Sequence, residues 1–220
     1  MLKKVSLTVA FAGAMLGATA ANASLSLSID FVPGAAMQVD NYRGGQLVED
    51  FEDETPGAAY GGGLAIFANS VPGQAARPAF HSTGNFLAVQ ANNTSSVTIT
   101  VPQTQMLSFI IGSLDTYNQL ILYFLNSDPI TLDGSQIIAP FLTQANGNQV
   151  SPNTNGRVFY DTLGTDSIVG FELTSFGSNA FEIDNVVVAA PEPATWGMMI
   201  LAAGMAGAAL RRRRNHNAMA

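Results

Sequence analysis

Between residues 24 and 190 the chain repeats one pattern: short stretches of alternating apolar and polar residues, separated by turn-forming pairs. Leu25-Ser26-Leu27-Ser28-Ile29-Asp30-Phe31 alternates residue by residue, and Ser96-Val97-Thr98-Ile99-Thr100-Val101 does so with β-branched side chains. A period of two places alternate side chains on opposite faces of a strand. Residues 86–90, 107–112, 120–125, 157–161, 167–174 and 180–188 read as further strands. The gaps hold Pro33-Gly34, Gly61-Gly62-Gly63, Pro72-Gly73, Asn92-Asn93, Asp133-Gly134, Asn146-Gly147 and Asn155-Gly156, residues that turn a chain. Helical periodicity is hard to find, so the crossover helices of a parallel sheet have no source. The expectation is an all-β fold, an antiparallel β-sandwich of jelly-roll type.

Charge and cysteine content limit what such a sandwich can do. Residues 24–190 carry three arginines (Arg43, Arg77, Arg157), no lysine and fifteen acids, a net charge of −12. That argues against a nucleic-acid partner. The chain has no cysteine. A disulfide scaffold, a thiolate metal centre and a thiol nucleophile are therefore excluded.

Six of the nine basic residues lie near the two ends. Lys3 and Lys4 precede an uncharged run at 5–18, and Ala21-Asn22-Ala23 fits a small-x-small cleavage site that makes Ser24 the first mature residue. This is the pattern of an export signal helix over residues 1–23. At the other end, Pro191-Glu192-Pro193-Ala194-Thr195-Trp196 leads into an uncharged run at 197–210, and Arg211, Arg212, Arg213 and Arg214 follow. As a helix, Trp196 to Leu210 would span roughly 22 Å at 1.5 Å per residue. A hydrocarbon core of about 30 Å exceeds that. With Trp196 at one interface and the arginines snorkelling at the other, the segment reads as a marginal transmembrane helix. The positive-inside rule keeps the arginines in the cytoplasm and puts the body across the inner membrane. The two prolines hold the chain extended just outside the span.

Tripeptide, spacer, Trp, span and basic block in that order resemble the PEP-CTERM sorting signal of Gram-negative bacteria. The resemblance covers roughly residues 190–214. It implies that Pro191, Glu192 and Pro193 form the recognition motif, that the helix and Arg211 to Arg214 retain the chain, and that an exosortase processes it. The domain plan is then signal peptide 1–23, body 24–190, sorting signal 191–214 and tail 215–220. Such a signal is an address and leaves the body's role open.

Two body segments carry a second resemblance. Gly112-Ser113-Leu114-Asp115-Thr116-Tyr117-Asn118 and Asn179-Ala180-Phe181-Glu182-Ile183-Asp184-Asn185-Val186-Val187-Val188 are similar to segments of exported proteins with galactose-binding-like or carbohydrate-binding jelly rolls. That resemblance implies an early Phe51-Glu52 beside a late Ile183-Asp184-Asn185, and a structural calcium held by their oxygens. It makes Glu52, Asp53 and Asp184 candidate metal ligands, and Asp115, Tyr117 and Asn118 candidate ligand contacts in a turn.

Chemistry-bearing clusters are otherwise sparse. Five acids fall in the six residues Glu49-Asp50-Phe51-Glu52-Asp53-Glu54, which suits either a hard cation or a solvated acidic loop. Period-two counting places Phe181, Ile183 and Val187 on one face and Glu182, Asp184 and Val186 on the other, with Asp184 toward solvent or metal. The one body histidine, His81, reads as an exposed loop residue, and there is no Gly-x-Ser-x-Gly elbow. Zinc has no ligand set, and no carboxylate pair is marked for glycoside hydrolysis. The reading is a non-enzymatic exported protein, transiently anchored, then released to the surface or exterior, where it associates with extracellular polysaccharide. The alternatives are a secreted polysaccharide hydrolase and an adhesive protein that binds other proteins.

Overall fold

The computed structural model describes residues 26–34, 45–60, 63–64, 66–91, 96–138, 145–163 and 166–189. The signal helix, the cleavage site at Ala21, Ala23 and Ser24, and the sorting signal from Pro191 to Arg214 lie outside the described residues. Among the described residues no helix is long and apolar enough to cross a membrane. The described residues all fall within one compact unit, residues 1–190.

The described chain runs β1 (Leu27–Pro33), β2 (Gly45–Glu49), β3 (Ala59–Tyr60), β4 (Gly63–Leu64), β5 (Ile66–Phe67), β6 (Phe86–Val89), β7 (Val97–Thr104), β8 (Met106–Gly112), β9 (Asn118–Phe124) and β10 (Ile130–Asp133). A 3-10 turn at Gly134–Ile138 follows, then β11 (Gly156–Thr162), β12 (Ile168–Ser175) and β13 (Phe181–Ala189). One sheet has the order β1-β11-β8-β13-β6-β5, with β2 also on β13; a second is β10-β9-β12-β7, and β3 pairs with β4. Among the described residues, the neighbouring strands of these two sheets pair antiparallel. The eight strands β2 and β7 to β13 interleave as β2-β13-β8-β11 over β10-β9-β12-β7, which is jelly-roll order. Strands β6 and β2 lie end to end along β13, at Phe181 to Ile183 and at Val186 to Ala189.

Alternation explains the core. Strand β7 is buried at Val97, Ile99 and Val101 and exposed at Thr98 and Thr100. Strand β9 buries Leu120, Leu122 and Phe124. Across the gap between the sheets, Phe109 of β8 stacks on Phe171 of β12 at 5.3 Å, and within its own sheet it meets Tyr160 of β11 at 5.8 Å. All three rings are fully buried, and the Tyr160 hydroxyl donates to the Ile137 carbonyl at 2.7 Å. A smaller apolar cluster of Val32, Met106, Phe159 and Val187 forms outside this main core.

Strand β13 departs from simple counting. Phe181 and Ile183 belong to the main core, as expected, but so do Val186 and Val188, while Val187 packs in the outer cluster. The expected faces of Val186 and Val187 are therefore exchanged. The cause is a register break against β8 between Asp184 and Val187, with Asn185 at φ +52°. One inserted residue reverses the parity of all that follow. Asn suits this position because it enters the left-handed region more readily than other side chains. Arg157 braces the bulge by donating to the Asn185 carbonyl at 3.1 Å and to Ser108 Oγ at 3.0 Å.

Candidate functional site

Glu182 and Asp184 project from β13 on the side away from the main core, as alternation requires. Asp184 does not face solvent: it is fully buried, and Glu182 is 2% exposed. Residues 68–85 cross over this side of the sheet as a strap. The strap's Ala76 N–H donates to Glu182 Oε1 at 2.9 Å, and Ser113 Oγ donates to Oε2 at 2.8 Å. Pro78 packs on Gly112, where an added Cβ would sit 3.0 Å from the proline. Asn155, fully buried, ties strap to sheet. Its Oδ1 accepts from Ala79 N–H and Ser113 N–H, and its Nδ2 donates to the carbonyls of Asn148 and Ser151.

Burial pushes the Glu182 carboxyl up to about 8, opposed by its hydrogen bonds and assisted by the negative charge of Asp115. Burial likewise pushes Asp184 up to about 7; Ser82 and the Asn185 N–H oppose the rise, Glu52 adds to it and Arg77 reduces it. Asp184 Oδ1 accepts from Asn185 N–H at 2.7 Å. Asp184 Oδ2, Ser82 Oγ and Arg77 Nη1 are buried without completed hydrogen bonds of normal geometry. The Arg77 guanidinium lies over the Phe86 ring at 5.0 Å.

Beside Glu182 a cleft of about 420 Å³ opens between the strap and the β8–β9 turn. Its lining includes Ser113, Asp115, Tyr117, Gln149, Asn179 and Glu182. Clefts of this size fit a small ligand or one sugar unit of a polymer. Two of the three residues expected to contact a ligand, Asp115 and Tyr117, line it. Asn118 instead is buried and builds the turn. Its Oδ1 accepts from Asp115 N–H at 2.7 Å, and its Nδ2 reaches the Ala180 carbonyl at 3.2 Å. The Tyr117 hydroxyl donates to the Asn179 carbonyl at 2.9 Å and is raised above its ordinary pKa by burial first and by Asp115 second. Gly147, at φ +64°, lies against the Asp115 carboxylate: an added Cβ would come within 2.1 Å of Oδ2.

The candidate metal ligands fall in two places: Asp53 joins Glu49 and Asp50, whereas Glu52 lies close enough to Asp184 for its charge to raise the Asp184 pKa. Among the described residues, carboxylate oxygens of Glu49, Asp50 and Asp53 come within 4.8 Å of one another, so Asp53 finds neighbours other than Glu52 and Asp184. Glu52 turns to the strap, where its Oε1 accepts from Asn85 N–H at 3.1 Å. Phe51 explains the placement. At φ +60° and fully buried in the main core, it anchors the acidic run while Glu52 and Asp53 stay exposed. His81 is exposed, as expected of a loop histidine.

Sequence reasoning gave Glu182 no role in the cleft. Its place was readable only as the polar partner of Phe181 and Ile183; that the strap covers it depends on contacts more than one hundred residues apart, such as Ala76 to Glu182. Comparison with known proteins finds one family model, the PEP-CTERM protein-sorting motif, matching residues 189–214. No curated protein and no solved structure matches the chain.

Proposed function

We propose that this protein is an exported, exosortase-processed component of the cell envelope or extracellular matrix, and that its body binds polysaccharide without catalysis at the Glu182 cleft. The sorting motif at 189–214 indicates an exosortase-targeted, exported chain that is membrane-anchored in transit. The observation that carries the binding role is the cleft itself, where hydroxyl, amide and carboxyl groups converge beside the Tyr117 ring. Sugars are bound by such mixed polar and aromatic surfaces. Pull-down of the purified protein on envelope and extracellular polysaccharides tests the role. Retention that is lost with Tyr117→Ala supports it, and no retention on any of them overturns it.

One observation favours hydrolysis as the second reading. Asp115 and Glu182 share the cleft, and burial keeps Glu182 protonated to unusually high pH, as a general acid for glycoside cleavage requires. Release of reducing ends that disappears in Glu182→Gln would establish it.

Calcium enters the proposal at Glu49, Asp50 and Asp53, whose hard carboxylate oxygens fit that ion chemically. There it would fix the acidic loop next to its Phe51 anchor. Glu52 and Asp184 suit it less, because Arg77 lies close enough to lower the Asp184 pKa.

A further inference from the structure

The Glu182 cleft brings two carboxyl groups, Asp115 and Glu182, into one lining. Four of its donors are already committed within the protein. Ala76 N–H and the Ser113 hydroxyl serve Glu182, the Tyr117 hydroxyl serves the Asn179 carbonyl, and Asn179 Nδ2 serves the Gly73 carbonyl at 2.9 Å. Asp115, Glu182 and Tyr117 line the same space, with Asp115 acting on the Tyr117 hydroxyl by hydrogen bonding and charge, and the lining contains no Lys, Arg or His. An ammonium group has three donors and no acceptor. Around the cleft, residues 24–190 carry a net charge of −12 with no lysine. That field attracts cations and repels polyanions.

We propose that the cleft binds a cationic amine between Asp115 and Glu182, and that its ligand is a polysaccharide containing amino sugars with free ammonium groups. This rests on the reading of the body as a polysaccharide-binding module and specifies which polysaccharide it takes. Asp115 supplies the charge at the mouth, where it is half-buried and held in place by the Asn118-closed turn and by Gly147. Glu182 supplies a second oxygen from a fixed position. Its two protein hydrogen bonds hold it there, and an arriving ammonium favours its ionised form. Charge-assisted bonds of this kind are stronger than neutral ones.

The test is calorimetric titration of the full chain in a non-ionic detergent, with four probes at one salt concentration. The probes are glucosamine oligomers, their N-acetylated counterparts, uronic-acid oligomers and a lysine-containing peptide. The proposal expects glucosamine oligomers to bind at least tenfold tighter than the N-acetylated ones, and uronic-acid oligomers not to bind. It also expects Asp115→Asn and Glu182→Gln each to remove that preference while the melting temperature at pH 6 stays within a few degrees of the parent. Equal or tighter binding of N-acetylated oligomers overturns the amine inference and leaves polysaccharide binding standing. Binding of the lysine peptide as tight as that of the glucosamine oligomers keeps the amine site and overturns the sugar. No binding by any probe overturns the amine site. A preference that survives both substitutions overturns the assignment to this cleft.

Discussion

Stability should fall as pH rises from 5 to 8, because Glu182 and Asp184 are buried in a form that holds its proton. In the unfolded chain Glu182 releases its proton near 4.5, whereas in the fold burial keeps it until about 8. Asp184 moves from 3.8 to about 7. Both folded values are raised. The folded state therefore binds more protons across this window, and the stabilisation present at low pH is lost as pH climbs through the folded values. At about 1.4 kcal/mol per pH unit and group, between pH 5 and 8 Glu182 sets a ceiling of roughly 4 kcal/mol and Asp184, which titrates near 7, one of roughly 3 kcal/mol. Water entry and relaxation on ionisation reduce that, and a combined loss of about 3–5 kcal/mol is expected. Such a loss is a large share of the 5–15 kcal/mol that typically holds a domain together. Chemical denaturation at pH 5, 6.5 and 8, read by tryptophan-independent far-UV dichroism, measures it. Glu182→Gln sharpens the experiment. The amide can still accept from Ala76 N–H and can donate to Ser113 Oγ, so the fold keeps its contacts while one titration disappears. Its pH slope should be about half that of the parent. Stability that is flat or rising from pH 5 to 8, or a Glu182→Gln slope equal to the parent's, would refute the reasoning.

Further outcomes follow from packing and backbone geometry. Phe109→Ala, between Phe171 and Tyr160 and fully buried, should cost about 3–5 kcal/mol in denaturant melts. Asn185→Val should cost about 1–2 kcal/mol, because a β-branched side chain resists the left-handed bulge, while Asn185→Gly should stay close to the parent. Asn155→Ala should cost roughly 2–4 kcal/mol and loosen residues 68–85 in hydrogen exchange, since it strands the Ala79 and Ser113 N–H groups and two carbonyls. Asp166 runs the opposite way to Glu182. Hydrogen bonds from Ser127, Ser167 and Asn126 outweigh burial and hold it below the ordinary carboxylate range, so its contribution is present near neutrality and lost below about pH 4. Asp166→Asn should flatten the acid limb of the melting profile.

Most long strands were legible because one face of each is buried. The expected stretches at 86–90, 107–112, 120–125, 157–161, 167–174 and 180–188 coincide with β6, β8, β9, β11, β12 and β13 to within a few residues at each end. Strand β2 was not foreseen. Gly45-Gln46-Leu47-Val48-Glu49 is short and only half-buried, and it is a strand because β13 offers it a free edge. Strand β10 is similar: four residues with a single buried position, Leu132. The bulge at Asn185 escaped because alternation carries no information about an inserted residue. The turn from Asp115 to Asn118 was half legible. Local sequence marked the turn, but which members face the cleft depends on Asn118 reaching Ala180 and Ser175, far along the chain. Glu182 was hidden for the same reason, since its partners come from the strap.

The central claim is that this chain is exported and then processed at its sorting signal, and intact-mass measurement of the mature protein tests it most directly. The account predicts that protein from cells with an active exosortase begins at Ser24 and lacks Trp196 to Ala220. With Pro191-Glu192-Pro193 replaced, the tail should stay attached; with Arg211 to Arg214 neutralised, membrane retention before processing should weaken. A mature mass that still includes Trp196 to Ala220 would contradict the account and make the segment a permanent anchor.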